Sequence, residues 1–261
     1  MSNIQQKLNE ISVSGYKLDF SDVINAAIEN YKKIAMNAGI AFLLFFIVFG
    51  IIVLSVIGGY YGFSSFATTM AGFNLLNFSV MEQLIYLVFV VLISSIISPL
   101  YCGLLKMAQL ADQNQEFTIG TALDFYKGKF FKEIFIAAVL ISLGSTILNM
   151  LAEYSSVFFI GGLIAYIIAF FTFLVNPMII FGNLKAVEAI KASFMVVGKQ
   201  VPVLIGLLIV SLIMCCLGFI GFCIGVFFTF PFIFSVYYII YKQIFGINPT
   251  SEIEEIGAFQ E

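Results

Sequence analysis

The stretch Gln83-Leu-Ile-Tyr-Leu-Val-Phe-Val-Val-Leu-Ile-Ser94-Ser95-Ile-Ile-Ser98-Pro99-Leu-Tyr-Cys102-Gly103-Leu-Leu105, closed by Lys106, decides the fold. It is uncharged over the about 20 residues that a helix needs to cross a hydrocarbon core of roughly 30 Å. It also lacks the strict alternation of a barrel strand, so it reads as a transmembrane helix. Five more apolar runs have the same character, and the spans are expected at 35–57, 83–105, 134–151, 157–180, 201–217 and 221–241. The composition agrees: 61% of the 261 residues are hydrophobic and 10% charged, against about a quarter charged in soluble domains.

Lysine fixes the orientation. All twelve basic residues are Lys, and each falls in a segment on one side of these six spans. The segments carrying Lys106, Lys127, Lys129 and Lys132, then Lys185, Lys191 and Lys199, and finally Lys242, are therefore read as cytoplasmic. Between the first two spans, Gly58 to Glu82 holds Tyr60, Tyr61, Phe63, Phe66 and Phe73 but no Lys, which suits an outer loop resting at the interface. Both termini are expected inside. The first 34 residues are polar and mixed in charge, so the first span is expected as an uncleaved anchor rather than a signal peptide. Lys-only basic usage with abundant Ile, Phe and Asn suits a bacterial inner membrane.

An internal repeat refines this layout. Val23, Ile24, Ala27, Ile28, Tyr31 and Ile34 recur at helical spacing opposite Asp22, Glu29 and Lys33, with Ser21 as the expected N-cap. Ile119, Ala122, Leu123, Tyr126 and Phe130 do the same after Thr118, and Val187, Ile190, Phe194 and Val197 do so against Lys185, Glu188 and Lys191. Each even span then carries a proline in its inner half: Pro99, Pro177 and Pro231. Proline removes a backbone hydrogen bond, and a membrane helix tolerates this only where neighbours satisfy the freed carbonyl. The kinked ends should therefore pack together. The fold expected is an all-α polytopic membrane protein of six transmembrane helices arranged as three hairpins. Each hairpin follows a cytoplasmic amphipathic helix, and the units repeat with approximate pseudo-threefold symmetry. Residues 1–19 form a polar N-terminal segment, 20–245 a single membrane domain and 246–261 an acidic tail.

The lead-in helices, the prolines of the even spans and the string Lys185-Ala-Val-Glu188-Ala189-Ile-Lys191-Ala-Ser193 resemble a broad group of six-span bacterial membrane proteins. That group includes the membrane domain that sometimes precedes glycerophosphodiester phosphodiesterase domains. The resemblance covers about Phe20 to Phe245 and implies fold more than activity. Only sixteen residues follow Phe245, so a phosphodiesterase domain is not expected and its activity is not carried over.

The chain has no His, Arg or Trp. Without His it cannot build a Ser-His-Asp triad, a His-ligated haem or an H-E-x-x-H zinc site. Paired acids within spans and a phosphate loop of the G-x-x-x-x-G-K-[ST] type are absent as well. An enzyme is not expected, nor is nucleic-acid binding, which relies on Arg. No cofactor or metal is expected. Cys215, Cys216 and Cys223 gather near one outer turn, but a structural zinc site wants four ligands and none completes the set, so they and Cys102 read as small packed residues. Ser142, Ser145, Thr146 and Asn149 make a polar stripe on the third span. With Ser94 and Ser98 of the second span and Asn176 beside Pro177, they read either as the wall of a polar cavity or as helix packing through small hydroxyls. Asn176 is read as capping its kink, and Gly221 and Gly225 as a packing pair.

Two functions follow as expectations. The first is a non-enzymatic scaffold, partner-binding or envelope-organising protein, with the bilayer and a cytoplasmic or membrane protein as partners, working through Lys32, Lys33, Lys127, Lys129, Lys132, Lys185 and Lys191. The second is a small permease or lipid-handling transporter with a path between the kinked spans two, four and six.

Overall fold

The computed structural model describes residues 3–61, 78–154, 158–221 and 224–246. The greater part of the outer loop read before Glu82 (62–77), residues 247–261 of the acidic tail, and Cys223 lie outside the described residues. Among the described residues the chain is all helical, without a strand: α1 (Asn3–Ser14), α2 (Phe20–Tyr61), α3 (Val80–Asp112), a 3-10 helix (Ile119–Tyr126), α4 (Phe131–Tyr154), α5 (Phe158–Thr172), α6 (Val175–Ile180), α7 (Ala186–Lys199), α8 (Val201–Leu217), a 3-10 turn (Gly218–Gly221), α9 (Ile224–Thr229) and α10 (Pro231–Phe245). Six helical segments are long and apolar enough to cross a membrane. The protein is a multi-pass membrane protein.

The core lies at the end where the lysines are. Before Pro99, Pro177 and Pro231 the even spans are mostly exposed or half-buried, whereas the segments after them, Leu100–Leu105, Pro177–Ile180 and Phe232–Tyr241, are almost wholly buried. These three segments of α3, α6 and α10 pack against one another, with α2, α4, α7 and α8 around them. At the opposite end α2 exposes residues from Leu44 to Val56 and α3 from Val80 to Leu92. Apolar exposure there carries no penalty, because lipid tails are as apolar as the side chains. Ser79 caps α3, accepting from the Glu82 amide at 3.4 Å while its own amide donates to the Glu82 carboxylate at 2.8 Å.

The three lead-ins differ from expectation, each for its own reason. The first is not a separate interfacial helix. No Gly or Pro interrupts residues 20–38, so α2 runs unbroken for 42 residues, or about 63 Å. Val23, Ala27, Asn30, Ile34, Ala38 and Ala41 line its buried face. Its N-cap is Asp19, which accepts the Asp22 amide at 3.0 Å, rather than Ser21. The second lead-in is a 3-10 helix, bounded by a glycine at its start and by Gly128 at φ +91° beyond its end. In the third, α7, the buried face is Ala186, Ala189, Ser193, Val196 and Val197, while Val187 and Phe194, read as its inner face, are 50% and 42% exposed. Small residues let α7 approach the core closely, while Val187 stays outside and Phe194 lies at the edge, stacked on Phe171 with ring centres 5.3 Å apart.

The N-terminal segment is more than a polar lead-in. Leu8 and Ile11 of α1 are buried, the Lys7 ammonium donates to the Phe245 carbonyl, and Lys199 donates to Ser12 O at 2.6 Å. Tyr16 donates to Val196 O at 3.1 Å, and Gln200 donates back to the Tyr16 carbonyl. Thus α1 ties α7 to the end of α10.

Candidate functional site: hydroxyl latches on the proline kinks

A proline lacks the N–H that would reach the carbonyl four residues back, and its ring opens the preceding turn. At Pro99 the Tyr126 hydroxyl donates to the Ile96 carbonyl at 2.6 Å. The phenol thus lies against the helix at the kink, three residues before the proline. Burial pushes its pKa up to about 12, against the opposing pull of the Leu100 amide, so it remains a protonated donor at neutral pH.

The other two kinks are held the same way. At Pro231 the Tyr31 hydroxyl donates to Phe228 O at 3.0 Å, and Phe228, like Ile96, stands three residues before its proline. Near Pro177 the Met178 amide still reaches Leu174 O at 3.0 Å, so the break falls earlier, at Phe173–Leu174. There Ser193 donates to Phe171 O at 2.6 Å. The three donors sit one on each lead-in, and each follows a buried alanine by four residues: Ala27, Ala122 and Ala189. Close approach explains the alanine. A Cβ placed on Gly103 would lie 2.1 Å from the Ala122 carbonyl oxygen. Sequence reasoning placed Tyr31 and Tyr126 on apolar faces and missed their hydroxyls; the recurring Ala-x-x-x-Tyr or Ala-x-x-x-Ser spacing was the available signal.

A polar cluster sits beneath the latches. Buried Asn30 donates to Ala108 O at 2.7 Å and accepts from buried Ser235 at 2.9 Å. One turn further along α3, Asp112 accepts from Tyr238 at 2.8 Å and from Lys242 at 2.6 Å. Lys33 donates to Ala111 O at 3.1 Å and to Asn114 at 2.8 Å. The cluster joins α2, α3 and α10 and encloses no group of three or more potential metal ligands among the described residues.

Of the residues singled out from sequence, Ser98 and Asn176 come together at 3.5 Å, the long limit of a hydrogen bond. Ser94 donates to Val90 O at 2.8 Å and Ser142 to Ala138 O at 2.6 Å, each within its own helix. Ser145 and Asn149 are half-buried towards the far end of α4. With Tyr154 bonded to Gln83 at 2.7 Å, Asn149 stands about 15 Å from the level of Ser98 along the bundle. Glu133, at the start of α4, accepts the Ala186 amide at 2.8 Å and so caps α7. Cys102 and Cys215 are buried and Cys216 is exposed, all as free thiols. Thr229 donates to the Cys215 carbonyl at 3.2 Å, and a Cβ on Gly225 would lie 2.3 Å from Gly218 O, so the glycine close approach at this turn lies within one hairpin.

No protein-family model, curated protein or solved structure matches this chain.

Proposed function

We propose that the protein is a non-enzymatic scaffold of a bacterial inner membrane, with both termini cytoplasmic, that presents its lysine-bearing end to partners. The observation that carries this reading is the latching of all three kinks by side chains of the lead-ins. A helix kink serves as a hinge when the carbonyls around it can exchange partners, and here a fixed hydroxyl holds one carbonyl beside each. The cyclic order of the latches supports a three-unit repeat: the second and third lead-ins hold the even span before them, and the first holds the last. The hydroxyls of Ser94 and Ser142, spent on their own helices, suit packing better than a solute path.

Reconstitution tests the reading. Proteoliposomes should show fluorescent-lipid scrambling and small-solute leakage no faster than protein-free vesicles. Flux above that background, abolished by Asn176→Leu, would bring the permease forward in its place. Reporter fusions after residues 70 and 249 test the orientation: the first should read as periplasmic and the second as cytoplasmic.

A further inference from the structure

The 3-10 helix and the turn after it form an unusual edge on the bundle. Their inner side is fixed, with Ala122 against Gly103 and Tyr126 bonded to Ile96 O. On the outer side Ile119 and Leu123 are 39% and 52% exposed, Phe131 is exposed as well, and Lys127, Lys129 and Lys132 are exposed beside them. Lys129 lies over the Phe130 ring, 4.7 Å from its centre.

The depth of this edge follows from α4. That helix has 24 residues, about 36 Å, slightly more than the roughly 30 Å of hydrocarbon. Its far end is level with Gln83 through the Tyr154 hydrogen bond. Phe131 and Lys132 therefore stand where hydrocarbon meets headgroups. Within Ile119–Lys132 the three lysines outnumber the one carboxylate, the exposed Asp124, and Glu133 beyond them turns to the Ala186 amide.

We propose that the outward edge of Ile119–Lys132 is a docking surface for anionic phospholipid of the adjoining leaflet, with Ile119, Leu123 and Phe131 against acyl chains and Lys127, Lys129 and Lys132 at the phosphates. The charge selects the occupant: three lysines within six residues complement a net-negative headgroup and gain less from a zwitterionic one, whose phosphate is offset by its own cation. This goes beyond the scaffold reading and does not depend on it.

The chain has no Trp, so Leu123→Trp gives a single fluorescent reporter on this edge. The full-length variant is reconstituted in mixed bilayers with brominated phosphatidylglycerol or brominated phosphatidylcholine as quencher. Phosphatidylglycerol should quench it several-fold more effectively. Adding Lys127→Gln, Lys129→Gln and Lys132→Gln should lower that preference at least about five-fold, the equivalent of about 1 kcal/mol, the contribution expected of a single lysine. Lys17→Gln should leave it in place. A Trp at Ile205, exposed on α8, should show no headgroup preference, and its unchanged quenching in the triple variant establishes that the bundle is intact. Equal quenching by both lipids at position 123, a preference that survives the triple substitution, or a Trp that neither lipid reaches would each overturn the proposal. The last result would assign the edge to a protein segment instead.

Discussion

Tyr126→Phe removes one oxygen atom and nothing else from the Pro99 kink. The ring still fills its space, so no cavity term enters. One backbone group loses its partner: the Ile96 carbonyl, held at 2.6 Å. A net hydrogen bond contributes about 0.5–1.5 kcal/mol, and a buried group left unsatisfied costs about 1–3 kcal/mol. Interhelical bonds measured within membranes average about 0.6 and reach about 1.7 kcal/mol. The expected loss is therefore about 1–2 kcal/mol, read as reversible unfolding in mixed detergent micelles followed by far-ultraviolet circular dichroism. Pro99→Ala supplies the N–H missing opposite the Ser95 carbonyl and removes the ring that opens the turn at Ile96. In that background Tyr126→Phe should cost little, and the double-mutant cycle should show coupling of at least about 1 kcal/mol. Ser142→Ala is the control, since its hydroxyl bonds only within α4 and its loss should stay within about 0.5 kcal/mol. A Tyr126→Phe no worse than Ser142→Ala, or equally costly with and without Pro99, would refute the latch.

The remaining expectations concern the same end of the bundle. Tyr31→Phe and Ser193→Ala should each cost about 0.5–2 kcal/mol in the same assay. Gly103→Ala forces a Cβ into the Ala122 backbone, where no flexible side chain can give way, so the 3-10 helix should lift off and trypsin should cut at Lys127 or Lys129 at least several-fold faster in native micelles. Asp112→Ala should cost about 1–2 kcal/mol, because it removes the acceptor of the hydroxyl of the buried Tyr238 and the partner of a half-exposed Lys242. Glu29→Ala should cost under about 0.5 kcal/mol although its pair with Lys32 is equally short, because that pair is exposed. In a Cys223→Ser background, an apolar maleimide should label Cys216 in native protein and reach Cys102 and Cys215 only after unfolding; early labelling of Cys102 would contradict the packing described around Pro99.

Much of this organisation is written in one dimension. Six apolar runs of spanning length, a lysine after each even one and a proline inside it require only the thickness of a bilayer and the chemistry of the proline ring, both blind to what lies alongside. The packing of the post-proline segments follows from the same reasoning, since carbonyls freed in hydrocarbon must find donors. Which donors they find is a tertiary fact. Tyr31 lies 197 residues from Phe228, and hydropathy scores its ring while ignoring its hydroxyl. The buried face of α7 was equally hidden, because an amphipathic reading turns the bulky Val187 and Phe194 inward, whereas close helix approach selects Ala186, Ala189 and Ser193. Small residues and hydroxyls therefore decide what is buried, and only the folded chain shows which of them meet. The sequence by itself determined the spans, the kinks and the lysine-bearing end; the tertiary structure alone decided how those kinks are held, because each latch joins backbone and side chain across elements whose separation in sequence carries no signal.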